Sequence, residues 1–119
     1  MLSIIKTFWI DRGAQEAELS ISDGDYVVLC FAHPWNESEL QADTVFELLD
    51  AVALAATLNE VDLIEREGST FRHRLVGTVT NKRKNMLKVG AFHFRLDSPF
   101  PGDIKDDQRV EITCARISW

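Results

Sequence analysis

The chain has 119 residues, 45% of them hydrophobic and 27% charged, and carries a net charge of −6 with a pI near 5.0. That is the composition of a single globular domain over 1–119, burying roughly two-thirds of its unfolded surface without metal or disulfide staples. With only Cys30 and Cys114 it is no disulfide scaffold, no stretch approaches the ~20 apolar residues of a membrane-crossing helix, and the acidic pI argues against indiscriminate nucleic-acid binding.

The elements follow in chain order. Residues 1–12 have no basic segment ahead of an unbroken apolar run, so no signal peptide is read there. Leu2–Ile10, rich in Ile, Phe and Trp, predicts a first strand. Ala17–Ser22 alternates, with Leu19 and Ile21 on one face. Asp23-Gly24 then predicts a two-residue hairpin turn that sets Ile21 opposite Tyr26. Tyr26–His33 is apolar on both faces, the pattern of a central strand covered twice. It also holds Cys30, which, like Cys114, suits a buried free thiol in a reducing compartment. A soluble, cytoplasmic protein without membrane contact is expected.

Asp43–Thr57 reads two ways. Val45, Leu48, Leu49, Val52 and Ala56 recur at helical spacing, Asp43 or Thr44 is placed to cap, and alanine favours helix. The competing reading is a strand over Thr44–Leu49 and then a loop. Val61–Glu65 alternates weakly, and Thr70–Thr80 predicts a strong strand. Met86–Leu96 predicts its return, with a slip of alternation at Gly90-Ala91 that points to a β-bulge. Arg109–Trp119 predicts the last strand, with Val110, Ile112 and Cys114 inward. Six to seven strands, a bulge and one possible inserted helix predict a mainly β fold: a small, partly closed OB-like barrel, with a two-sheet sandwich as the alternative. Val28, Leu29, Phe31, Leu75, Val89, Phe92, Phe94 and Ile112 are the expected core.

Charge is unevenly spread. Residues 69–96 hold no acid and seven cations, so that against a total of −6 the other 91 residues carry −13. Arg72, Arg74, Lys82, Arg83, Lys84 and Lys88 are candidate phosphate contacts for single-stranded nucleic acid or another polyanion, with Phe71, Phe92 and Phe94 interleaved among them. Against this, those phenylalanines have core periodicity, and lysines at a hairpin tip also serve to blunt strand-to-strand aggregation. The acidic remainder offers a second surface. Trp35, Glu37, Glu39, Asp43 and Glu47 are candidates for recognising a basic protein partner, with inhibition as one mode of action. Trp35 is read as either a lid on the core or an interface anchor.

Catalytic and metal chemistry have little to stand on. No nucleophile elbow, zinc-protease helix, phosphate loop or glycine fingerprint occurs. Cys30, His33, His73 and His93 lack metal-ligand spacing, and a thiol in the most apolar run is a poor nucleophile. The expected function is a binding module without catalysis or cofactor. Protein recognition leads, polyanion binding is the alternative, and an enzyme is a distant third.

Overall fold

The computed structural model describes residues 1–35 and 40–119. Within them are eleven strands and no helix: β1 (Ser3–Asp11), β2 (Glu16–Ser22), β3 (Val27–Ala32), β4 (Val45–Leu49), β5 (Val52–Ala56), β6 (Leu63–Arg66), β7 (His73–Asn81), β8 (Met86–Val89), β9 (Phe92–Leu96), β10 (Arg109–Cys114) and β11 (Arg116–Ser118). All lie in one sheet, ordered β1-β2-β3-β11-β4-β9-β8-β7-β10-β5, with β6 also on β7. The fold is mainly β. Its path ends at β1 and β5 and does not close, so it is neither a closed barrel nor two separate sheets, and OB-like architecture gains no specific support from it.

The helix expected over Asp43–Thr57 is absent. The segment forms β4 and β5, broken at Asp50, which has positive φ (53°) and whose N–H donates to Asp97 Oδ2 at 3.0 Å. β4 lies parallel to β9, setting Phe46 beside Phe94 and Leu48 beside Leu96, and antiparallel to β11. Phe46 and Leu48 are fully buried. Two ladders and two buried side chains outweigh an alanine-weighted helix propensity of a few tenths of a kcal/mol per residue.

The turns also differ from expectation. After Ser22 the chain makes a four-residue loop, so Ile21 opposes Val28, not Tyr26. The cause is Asp23, whose carboxylate accepts from the N–H groups of Asp25 (2.9 Å) and Tyr26 (2.7 Å). The register moves by two residues, which preserves the inward set Leu19, Ile21, Val28 and Cys30. The slip at Gly90-Ala91 is a tight hairpin turn and not a bulge: Val89 pairs with Phe92. Gly90 has φ 57°, which suits glycine at the first central position of such a turn. Any Cβ there would meet Asp23 Oδ2 at 2.6 Å. The predicted last strand divides at Ala115 into β10, which pairs with β7, and β11, which pairs with β3 and β4.

Val28, Leu75, Val89, Phe92, Phe94 and Ile112 are buried together as expected, with Phe46, Leu87 and Ile117. Leu29 and Phe31 instead take the opposite face of β3 and are half-buried. Phe92 stacks on Phe94 at 5.9 Å and meets Phe46 edge-on at 5.9 Å. Gly77 allows β7 to approach β8, since a Cβ there would collide with the Lys88 carbonyl and the Val89 side chain. Replacing Phe94 by Ala should cost about 3–5 kcal/mol, because the ring lies between two other rings in a fully buried site. Urea unfolding of the variant tests this, and a midpoint equal to that of the wild type would remove Phe94 from the core.

Candidate functional site

Three of the seven cations of the basic block meet carboxylates. Arg72 is 4.0 Å from Glu67, Arg74 pairs with Glu111 across β7 and β10, and Arg95 pairs with Glu47. At the hairpin tip the Lys82 N–H donates to Asp106 at 2.6 Å, and its Nζ donates to the Gly102 carbonyl at 3.0 Å. This brings the 101–108 loop, with Asp103, Asp106 and Asp107, against the tip. Arg83, Lys84 and Lys88 are exposed and have no carboxylate partner among the described residues. Phe92 and Phe94 are fully buried and cannot stack bases; Phe71 is half-buried.

The acidic surface loses its proposed anchor. Trp35 is 7% exposed, under the ring of Trp9 at 5.1 Å, with Arg12 stacked 4.9 Å from Trp9. It acts as a lid on the core. Asp43 is exposed and Glu47 is tied to Arg95. Glu37 and Glu39 lie outside the described residues.

The histidines and cysteines do not assemble a reactive centre. Cys30 and Cys114 are free and buried. Burial drives the Cys30 thiol far above its ordinary value and pushes Cys114 up to about 11. No group of three metal-ligating side chains occurs among the described residues. His73 is fully buried and serves another purpose: it spans two strands that share no ladder. Its Nδ1 lies 2.8 Å from the Phe71 carbonyl, and the Leu29 N–H of β3 donates to its Nε2 at 3.2 Å. Nδ1 therefore carries the proton and the ring is neutral. Burial lowers its pKa below 6.5, opposed by the bond to Phe71 and helped by the nearby Arg66.

The same seam is fastened twice more. The Tyr26 hydroxyl donates to the Asp62 carbonyl at 2.7 Å. The Asp62 carboxylate accepts from the Gly90 N–H at 2.7 Å and pairs with Arg109. Asp23 reaches across to the Ala91 N–H at 2.9 Å. Burial pushes the Asp23 carboxyl up, but the amides of Ala91, Tyr26 and Asp25 outweigh it and hold it below the usual aspartate value.

A surface that sequence reasoning missed lies on the outer face of β1, β2 and β3. Lys6, Phe8, Glu18, Ser20, Leu29 and Arg66 line a groove of about 200 Å³. Phe8 is 58% and Val27 48% exposed. Phe31 carries the Arg116 guanidinium 5.0 Å from its ring centre. The signal was present in β3, apolar on both faces; the second cover inferred for it is partial, with Arg116 over Phe31, Arg66 beside Leu29 and Val27 exposed. No protein-family model, curated protein or solved structure matches the chain. No helix of the described residues is long and apolar enough to cross a membrane.

Two outcomes follow from the buried groups. The unfolded His73 binds a proton near pH 6.5 and the folded one only at lower pH. Its contribution to stability is therefore complete above about pH 6.5 and declines as pH falls towards the folded value, below which it changes no further. His73→Gln should lack this component while keeping the carboxylate-driven losses at lower pH, and it should cost about 1–3 kcal/mol at neutral pH through the Leu29 amide. Unfolding curves across pH test this; a variant as pH-sensitive as wild type between pH 5 and 6.5 would free His73 of the role. Both thiols should label slowly with a bulky reagent in the native protein and quickly in urea. Rapid native labelling of either would contradict its placement.

Proposed function

We propose that the chain is a non-catalytic protein-recognition module that meets its partner on the outer face of β1, β2 and β3. The carrying observation is an apolar patch of exposed Phe8 and Val27 with half-buried Leu29 and Phe31, bordered by Lys6, Glu18, Arg66 and Arg116. An apolar centre with a charged rim is the anatomy of a protein interface. The acidic surface expected from the sequence is a weaker version of the same reading, since Trp35 lies inside and Glu47 is paired. A reducing compartment such as the cytoplasm suits the two buried thiols.

The polyanion reading retains one favourable observation, the three unpaired cations Arg83, Lys84 and Lys88. It lacks exposed rings beside them, and Asp106 adjoins the tip. A photo-crosslinking residue in place of Phe8, compared with one in place of Lys84, separates the readings in cells. Position 8 is expected to form adducts with polypeptide and position 84 none with nucleic acid. Nucleic-acid adducts from 84 without polypeptide adducts from 8 would overturn the ordering. In vitro, micromolar binding of single-stranded DNA at about 0.15 M salt, with a log–log salt slope near −2 for three cations, would do the same.

A further inference from the structure

Strands β1, β2 and β3 form a leaf that is joined more closely within itself than to the rest of the fold. β1 pairs with β2 from Ser3 to Asp11, and β2 pairs with β3 from Val27 to Ala32. Towards the other described residues the leaf has one ladder, two residues long: Cys30 and Phe31 against Ile117 and Ser118 of β11. The Trp119 N–H adds one bond to the Phe31 carbonyl, at 2.9 Å. Nearer the β2–β3 turn, three hydrogen bonds with side-chain partners fasten it. They are Leu29 N–H to His73 Nε2 (3.2 Å), Tyr26 hydroxyl to Asp62 carbonyl (2.7 Å) and Ala91 N–H to Asp23 Oδ2 (2.9 Å).

The remainder keeps a core of its own. Phe46, Phe92 and Phe94 of β4 and β9 cluster together. β7 pairs with β6, β8 and β10 without help from the leaf. A unit with few ladder bonds to such a body opens at a lower free energy than the whole chain.

Of the three clasps, protons remove that of His73 first. The Tyr26 bond ends on a main-chain carbonyl, and Asp23 keeps its charge to below the usual aspartate range. A proton on His73 Nε2 turns the acceptor of the Leu29 N–H into a donor pointing at it. The ring cannot turn the problem away, since Nδ1 already faces the Phe71 carbonyl. Arg66 of β6 opposes the extra proton, and Glu67, which lies 4.0 Å from Arg72, favours it. Arg74 of β7 pairs with Glu111 of β10 and has Glu65 of β6 as its register partner. Cys114 of β10 is the register partner of His73, Cys30 follows Leu29 on β3, and burial keeps both thiols neutral. The two opposed donors are relieved when β3 moves off β7 and water takes both.

We propose that acid lifts the β1–β3 leaf off the rest of the fold as a unit, before the chain unfolds, and that Cys30 becomes reachable as it lifts. Cys30 is fully buried on the inner side of the leaf, with Leu19, Ile21 and Val28. The device is a thiol closed at neutral pH and opened by protons. It holds whichever partner the outer face takes.

Labelling of the native full chain with dithiodipyridine tests this. Cys30 adducts are counted by peptide mapping, and the rate is divided by that of the urea-unfolded chain at the same pH. Opening should rise as pH falls through about 6.5, where the released imidazole binds its proton, and level off towards the folded value. The free imidazole limits the gain to about tenfold between pH 7 and pH 5.5. The rate should respond to urea less steeply than global unfolding does, because only part of the core is uncovered. Amides of β8 and β9 should keep their hydrogen-exchange protection over the same pH range. His73→Gln should abolish the acid response. Tyr26→Phe should raise labelling about fivefold at every pH and keep the response, because it removes a clasp that does not titrate in this range. Cys30 labelling as steep in urea as global unfolding overturns the inference. So does an acid response unchanged in His73→Gln, or a Tyr26→Phe chain that labels as slowly as wild type.

Discussion

The structure depends on a seam where main-chain pairing runs out. β3 pairs with β2 along its length, but its other edge meets β11 only at Cys30 and Phe31. The first half of that edge faces β6 and β7 with no ladder between them. An unpaired buried amide costs as much as a lost hydrogen bond, so the Leu29 N–H on that edge needs a side-chain acceptor. His73 takes the Leu29 amide; Asp62 and Asp23 take the amides of Gly90 and Ala91; Tyr26 takes the Asp62 carbonyl. These four side chains tie β3 and the turn before it to β7, to Asp62 and to the Gly90 turn. Through the buried imidazole of His73 they also make stability depend on pH.

The most conspicuous charge feature of the sequence is partly answered by the fold. The basic run faces its counter-charges through the fold. Glu111 and Glu47 reach Arg74 and Arg95 from other strands, Glu67 lies by Arg72, and Asp106 adjoins the tip, so part of the +7 of the sequence is answered in space. What remains is a trio of exposed cations, Arg83, Lys84 and Lys88, and, elsewhere, an apolar patch around Phe8 and Val27. Exposed pairs of this kind add little to stability, so their weight lies in cancelling the field that would draw a polyanion.

Legibility varied with the range of the interaction. Local alternation revealed most strands and the buried set, because period-2 patterning reports which face is dry. It failed where partners distant in sequence decided the outcome. Val45–Ala56 has helical spacing, and only β9, β10 and β11, more than 35 residues away, make it two strands. The Asp23 turn kept the inward set while shifting register by two, an error that alternation alone cannot detect. The Gly90 slip was legible as a change of face, but a bulge and a two-residue hairpin produce the same slip, and only pairing distinguishes them. The seam left no local signal, since Asp62 lies 28 residues from Gly90 and 47 from Arg109. The outer face was visible in β3 as a second apolar side; that the chain covers it only in part was not, because alternation does not report what lies over a face.

Seam and outer face meet at Leu29. Its amide is held by His73 from one side, while its side chain forms part of the groove floor on the other. Arg66 has the same double position: it is the register partner of His73 on β7 and a wall of the groove. The backbone of β3 between Val27 and Leu29 is therefore shared by the interior and the outer groove. Protonation of His73 at Nε2 removes the acceptor of the Leu29 N–H, so the bond that ties the groove floor to the interior exists only with the neutral imidazole. The pH dependence of the fold is therefore felt at the strand that lines the outer groove, and a single hydrogen bond carries it there.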